Sequence, residues 1–269
     1  MRLYYQQSGI TIYHGDCRDV LELWEGLRTQ SFDLLLTDPP YGIGVAKTGR
    51  VGSGKRTKSN GFAVLDATDF GAVTWDGDTC ADVMPRLRAI TRQQIIFGGN
   101  YYDLPPSRSW LVWDKQNDAT DFADAELAWT NLDQAVRIIR FRWNGMLQGS
   151  GVPKEPRLHP TMKPEPVIRW ALLQTNCDTV LDPFMGSGTT LVAAKRLGKQ
   201  AVGIEREERY CEIAVMRLQQ EALDFSATDQ PLVLDAVDPQ VTSTGTRSTR
   251  AESSLFSDAC GGGPPEGVR

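Results

Sequence analysis

The chain has 269 residues, 41% of them hydrophobic and 23% charged, with a formal net charge of −5. That length suits one or two domains with a real core, and the composition excludes collagen, coiled coil and wholesale disorder. No apolar run approaches the roughly 18–20 residues that cross a bilayer, and Met1–Ser8 lacks a signal peptide's apolar stretch, so a cytoplasmic protein is expected. The five cysteines are scattered without a CxxC pair, and His14 and His159 are the only histidines. Neither a disulfide framework nor a metal centre is expected from them.

Short apolar runs alternate with helical stretches along the chain. Ile10–Tyr13 reads as a strand, Arg18–Leu27 as a helix and Phe32–Thr37 as a buried strand. Gly42–Asn60 carries five glycines among bases and reads as a mobile, functional loop. A helix is predicted over Cys80–Thr91, followed by strands at Gln94–Phe97, Trp110–Trp113, Glu126–Trp129 and Val136–Arg142. Helix Pro164–Thr175 opens on prolines that a first turn tolerates. Strand Thr179–Leu181, helix Thr189–Leu197, strand Gln200–Ile204 and helix Glu207–Glu221 complete the order. Such alternation predicts a mostly parallel α/β sheet, with ligands at the carboxyl ends of its strands. Residues 1–221 are expected to form one domain. Residues 222–269, rich in Ser, Thr, Gly, Pro and Asp, are expected to be a disordered acidic tail.

The net charge hides a local excess. From Ala222 onward seven acids face three bases, so most of the negative charge lies in the tail. Tyr41–Leu65 holds Lys47, Arg50, Lys55, Arg56 and Lys58 and no acid. Arg137–Lys163 holds six bases, among them Arg142, Lys154 and Arg157, against Glu155 alone. A phosphate backbone responds to such local potential, though two solvated loops would give the same pattern.

Two constellations sit at strand ends. Asp38-Pro39-Pro40-Tyr41 follows the buried strand Phe32–Thr37. Successive prolines fix φ and withhold N–H donors, so a rigid turn presents the Asp38 carboxylate, a carbonyl and the Tyr41 ring together. Two acceptors beside an aromatic plate suit a planar heterocycle with an exocyclic amine. An ordinary strand-capping turn is the bland alternative. The second runs Asp182-Pro183-Phe184-Met185-Gly186-Ser187-Gly188-Thr189-Thr190 from a strand into a helix, and Glu205 ends the next strand. No lysine follows Gly188, so a Walker A loop fails, and Leu191 stands where a dinucleotide fingerprint needs Gly or Ala. A nucleoside with an amino-acid tail fits better: Asp182 for an ammonium, the glycines for close backbone approach, Glu205 for a ribose.

With these motifs in place, the sequence resembles the amino-type DNA methyltransferases, in the permuted β group where the catalytic motif precedes the cofactor motif. DPPY at Asp38–Tyr41, His-Pro-Thr-Met-Lys-Pro at His159–Pro164, DPFMGSGTT at Asp182–Thr190 and Gly15-Asp16-Cys17 carry the resemblance over about Ile10–Gln220. It implies a Rossmann-like S-adenosylmethionine-dependent methyltransferase sheet of seven strands with helices on both faces. It implies S-adenosyl-L-methionine as cofactor. The methionine part would lie on Asp182, Pro183, Phe184, the Gly186–Ser187–Gly188 turn, Thr189 and the segment carrying Thr161 and Lys163. Glu205 would take the ribose, and Asp16 with Cys17 the adenine. Asp38, Pro39, Pro40 and Tyr41 would handle a base flipped out of double-stranded DNA.

The two basic stretches (Lys47, Arg50, Lys55, Arg56, Lys58; Arg142, Lys154, Arg157) would hold phosphates. The recognition segment near 142–158 is short for the group; either the loop at 42–60 would share its duty or sequence specificity would be low. Homodimers and a cognate restriction endonuclease accompany members of this group. Asp at the head of the tetrapeptide favours adenine N6; cytosine N4 is the nearest rival. RNA or protein-glutamine methylation and a non-catalytic DNA-binding module stand further off. Residue by residue, bland roles stand beside these: Asp16 as a helix N-cap, His159 shaping a turn, Lys163 as a solvated charge. Asn100 and Tyr101 would line the cleft or, for Tyr101, pack in the core. Trp110, Trp113 and Trp129 are expected in the core.

Overall fold

Apolar strand runs buried on both faces set the centre of the molecule. In Phe-Asp-Leu-Leu-Leu-Thr (residues 32–37) every position but Asp33 is buried, the pattern of a central parallel strand rather than an alternating edge. The computed structural model describes residues 2–19, 22, 32–43, 50–51, 68–69, 79–117, 123–144, 147–148, 158 and 162–221. In chain order the strands are β1 (Arg2–Gln7), β2 (Ile10–His14), β3 (Phe32–Thr37), β4 (Arg50–Val51), β5 (Thr68–Asp69), β6 (Thr91–Phe97) and β7 (Trp110–Asp114). They continue as β8 (Ala125–Thr130), β9 (Arg137–Arg140), β10 (Trp143–Asn144), β11 (Leu147–Gln148), β12 (Thr179–Asp182) and β13 (Gln200–Glu205). The helices are α1 (Met84–Ala89), α2 (Glu165–Leu172), α3 (Thr189–Arg196) and α4 (Glu208–Glu221).

Among the described residues nine strands form one sheet, ordered β1-β2-β13-β12-β3-β6-β8-β7-β9. This corrects the seven strands expected from the resemblance. β2 through β6 run parallel to their neighbours, as does β9 to β7, whereas β1–β2, β6–β8 and β8–β7 are antiparallel. β1 is the strand sequence reading overlooks. It is polar, exposed at both ends, and joined to β2 by Ser8 (φ 51°) and Gly9 (φ 78°), a two-residue left-handed turn that suits a hairpin. Two small ribbons, β4–β5 and β10–β11, stand apart from the main sheet. They take in part of the loop expected at 42–60 and of the segment at 142–158; residues 44–49, 52–60, 145–146, 149–157 and the tail from 222 lie outside the described residues.

Alternate residues of the central strands divide between two cores, one on each face. Leu34, Leu36, Ile95, Phe97 and Val180 pack with Val167, Ile168, Leu191, Ala214 and Leu218 of α2, α3 and α4. Leu35, Ile96 and Leu181 point the other way, to Val83, Met84 and Leu87 around α1. Helices therefore cover both faces. α1 is shorter than the predicted Cys80–Thr91 helix because Cys80 is left-handed (φ 48°) and Thr91 already belongs to β6. Helical backbone appears at residues 17–19 and 22 of the predicted Arg18–Leu27; the rest lies outside the described residues. Trp113 and Trp129 are buried with their indole N–H groups donating to the Phe141 and Pro105 carbonyls, while Trp110 is half-buried. Among the described residues no helix is long and apolar enough to cross a membrane.

The chain leaves β3 toward β6 on one side and β12 toward β13 on the other. The strand order therefore reverses between β3 and β12, where an open α/β sheet leaves a crevice at its carboxyl edge.

Candidate active site

β3 and β12 lie side by side in parallel, Val180 opposite Leu34 and Leu181 opposite Leu35, so both strands end at the same edge. The Thr37 hydroxyl donates to Asp182 Oδ1 at 2.9 Å and ties the two ends together. The Asp38 turn and the Asp182 turn consequently line one cleft of about 1010 Å³, counting its open mouth. It runs from Asp16 and Cys17 past Phe184 and Gly186 to Asp38 and Lys163.

On the Asp182 side the partners are backbone amides and hydroxyls. Asp182 is 3% exposed, and its Oδ1 also accepts from the Phe184 amide at 3.2 Å. Burial pushes its carboxyl up to about 6, against the hydrogen bonds from Thr190 and Thr37. The following turn needs glycine twice. Gly186 (φ 51°) and Gly188 (φ 79°) are left-handed, and a Cβ at Gly188 would fall 2.7 Å from that of Ala214 on α4. The Gly186 amide donates to Glu205 Oε2 at 3.0 Å and the Glu207 amide to Oε1 at 2.7 Å. Burial outweighs these bonds and raises Glu205 to about 7. From α4, the buried Arg217 donates to the Ser187 carbonyl (2.8 Å) and Thr189 Oγ1 (3.1 Å), clamping the turn from behind. Asp16 Oδ1 accepts from the Arg18 amide at 2.9 Å, the helix-capping geometry, while Asp16 also lines the cleft. Burial, first of all, pushes the Cys17 thiol up to about 12, which keeps it protonated and unreactive.

On the Asp38 side the partners are charged. Lys163 Nζ donates to Asp38 Oδ2 at 2.6 Å, and the Tyr41 hydroxyl donates to Asp38 Oδ1 at 2.5 Å. Lys163 is 7% exposed and is therefore no solvated charge. Its Nζ also lies 3.0 Å from Glu126 Oε2, and Glu126 Oε1 lies 2.5 Å from Lys115 Nζ. Burial works against the Lys163 charge, but Asp38 and Glu126 outweigh it and hold the ammonium protonated. Burial likewise works against Glu126, yet Lys163 and Lys115 bring it down to about 2. The Tyr41 ring stacks on Tyr101 at 4.8 Å between centroids and rests on Gly98, where a Cβ would fall 2.0 Å from Cε1. Tyr101 is 46% exposed and so is not core; Asn100 is exposed as well, and neither is among the described residues that line the cleft.

The Tyr102 hydroxyl lies 2.5 Å from the Pro40 carbonyl and also reaches that of Thr79, so the Pro40 carbonyl has a partner inside the protein. Among the described residues no hydrogen bond reaches the Pro39 carbonyl. Of the expected DNA contacts, Arg142 is exposed with its guanidinium on the Gln116 carbonyl. Arg50 falls in β4; Lys47, Lys55, Arg56, Lys58, Lys154 and Arg157 lie outside the described residues, as do Thr161 and His159.

Lys115, Glu126, Tyr102 and Arg217 are the site residues that sequence reading missed. A lone acid inside the apolar strand Ala-Glu-Leu-Ala-Trp was the available signal for Glu126, since charges in strand cores are paired when they occur. No pattern links it to Lys163.

The chain as a whole is similar to several known proteins. A DNA methylase family model matches residues 100–216. The type II methyltransferase M.ScaI of Streptomyces caespitosus is 27% identical over 282 residues, covering 81% of this chain and 84% of its own. The type II methyltransferase M2.DpnII of Streptococcus pneumoniae is 25% identical over 254 residues, covering 81% and 92%. The crystal structure of the M1.HpyAVI-SAM complex superposes with a TM-score of 0.51 at 21% identity, over 78% of this chain and 98% of the other, a likeness of fold. By these likenesses the chain is similar to the N6/N4 amino DNA methyltransferases.

Proposed function

We propose that this protein moves a methyl group from S-adenosylmethionine to the exocyclic N6 of adenine in double-stranded DNA. The observation that carries the reading is the shared crevice: Asp38 and Asp182 leave adjacent strand ends joined by the Thr37–Asp182 hydrogen bond. One wall suits the cofactor. A buried carboxylate, Asp182, and a half-buried one, Glu205, flank a turn whose glycines bring the backbone close, which fits a zwitterionic tail at one end and a ribose at the other. Asp182 and the Gly186–Gly188 backbone would hold the methionine part, Glu205 the ribose and Asp16 the adenine. When bound, the cofactor supplies a sulfonium-activated methyl group and leaves as the neutral thioether.

The other wall suits the base. An exocyclic amine is a poor nucleophile because its lone pair is delocalised into the ring. Asp38 and the Pro39 carbonyl accept its two N–H bonds, draw the nitrogen toward tetrahedral geometry and localise that pair. The new N–C bond forms as the C–S bond breaks with its electrons to sulfur. The surplus proton on nitrogen passes to Asp38 and then to solvent. Positioning and electrostatics supply the rate, with no enzyme-bound methyl and no cysteine nucleophile. Because Asp38 is held by Tyr41 and Lys163, the arriving amine takes over the place of the Tyr41 hydroxyl, whose ring remains as the stacking plate.

Asp at the head of the tetrapeptide supports adenine over cytosine. The order of motifs supports the permuted β arrangement, and the type II relatives support a place in a restriction–modification pair, with a cognate endonuclease and a homodimer as companions to that reading. The test is incubation of the full chain with methyl-labelled S-adenosylmethionine and unmethylated DNA, then digestion to nucleosides. Label in N6-methyladenine is expected; label in N4-methylcytosine moves the assignment to cytosine, and unlabelled DNA refutes both.

A further inference from the structure

Four charged side chains form a row from the reaction centre outward. Asp38, Lys163, Glu126 and Lys115 alternate in sign, with separations of 2.6, 3.0 and 2.5 Å. They come from four places in the fold: the β3 end, the segment before α2, β8 and the residue after β7. The methyl-transfer reading uses Asp38. Glu126 touches neither Asp38 nor, in that reading, the base, yet the Lys163 ammonium lies within ion-pair distance of both acids.

Methyl transfer moves positive charge from sulfur onto the amine nitrogen, beside Asp38. Lys163, 2.6 Å from Asp38, opposes that charge and competes with the amine for the carboxylate. An acid on the far side of Lys163 cancels both effects. Resting on the proposed methyl transfer, we infer that Glu126 is a positioning residue for the reaction: it neutralises and holds back Lys163, so that Asp38 meets the target amine with its negative charge intact. Lys115 in turn keeps Glu126 ionised and in place, and the row as a whole is neutral.

The groups facing this row are Tyr41 and Tyr102 from the base side and Asp182 from β12. Removing Glu126 leaves the row one charge positive, which makes Asp38 a weaker base and binds it more tightly to Lys163. Removing Lys115 leaves it one charge negative, with the opposite effect. The two variants therefore shift the acid limb of the pH–rate profile in opposite directions, which loss of packing would not do.

The experiment measures single-turnover methyl transfer to unmethylated DNA across pH, with S-adenosylmethionine affinity by calorimetry, for the parent, Glu126→Gln, Glu126→Asp and Lys115→Met. Expected for Glu126→Gln is a rate roughly 10–100-fold lower at neutral pH, an acid limb moved to lower pH and cofactor affinity within about threefold of the parent. Glu126→Asp recovers part of the rate. Lys115→Met, at the partly exposed end of the row, moves the acid limb to higher pH; it decides the matter if Glu126→Gln does not fold. An active parent with Glu126→Gln unchanged, or with both variants slowed and neither limb moved, overturns the role of Glu126 alone. An inactive parent overturns instead the methyl-transfer reading beneath it.

Discussion

Asp38 and Asp182 end neighbouring strands and share a cleft, but they are solvated in opposite ways. Asp38 has a cation of its own in Lys163, shared with Glu126 and backed by Lys115. Asp182 has neutral partners: the Thr37 and Thr190 hydroxyls and the Phe184 amide. A buried carboxylate with only neutral donors gains most from a ligand that brings positive charge. A carboxylate that shares its ammonium with a second acid is already partly compensated in the resting site, and it can accept from a neutral N–H donor and still answer the charge that develops there. Under the proposed function, the contrast supports the zwitterionic cofactor tail at Asp182 and the uncharged amine at Asp38.

The sharpest way to break that contrast is to remove each acid in turn. Asp38→Ala should lower methyl transfer by about 10³-fold or more while cofactor affinity, read by calorimetry, stays within about threefold. If affinity collapses as well, the two walls are not separate. Asp182→Asn keeps the shape and removes the charge, so cofactor affinity should fall roughly 10–100-fold, the worth of one charge-assisted contact. Equal affinity would take the ammonium away from Asp182.

A pH test sharpens the same point. Glu205 and Asp182 are raised to about 7 and about 6 in the folded protein, above their unfolded values. An acid raised by folding favours the folded state when protonated. The free protein therefore loses stability from these groups as pH climbs from about 4 through 7. A bound cofactor whose ammonium and ribose meet the ionised forms offsets that loss. The rise in Tm on adding S-adenosylmethionine should thus be larger at pH 8 than at pH 5.5; an equal or reversed difference argues against charged Asp182 and Glu205 in the complex.

Gly188→Ala is the smaller structural probe. Its φ of 79° and the 2.7 Å approach of a Cβ to Ala214 predict a loss of about 1–3 kcal/mol and a Tm lower by several degrees. The smallest effect is expected of Tyr101→Ala. It frees one side of the Tyr41 plate with little change in Tm, and its readout is a change in KM for DNA that exceeds any change in cofactor affinity.

The parts of the fold that sequence displays are those where one local rule decides. β3, β12 and β13 are apolar runs of strand length, and the structure places each within a residue of its predicted bounds. β1 escaped because an edge strand needs no apolar face, although Ser8-Gly9 before a strand is a hairpin signal in hindsight. At the site, the tetrapeptide and the glycine turn are contiguous and therefore readable. The partners of Asp38 are not: Lys163 stands 125 residues away, and Glu126 reaches it only because β8 crosses the sheet beside β6. Sequence shows where a carboxylate is presented; only packing shows what charge surrounds it.

The Thr37–Asp182 bond joins residues 145 positions apart. In the proposed reading, the acid that would meet the base is encoded early and the acid that would meet the methyl donor's amino-acid tail late. On that reading a ribosome must finish both strands before a competent enzyme exists, and a product stopped before β12 would lack Asp182 and the glycine turn proposed to hold the methyl donor.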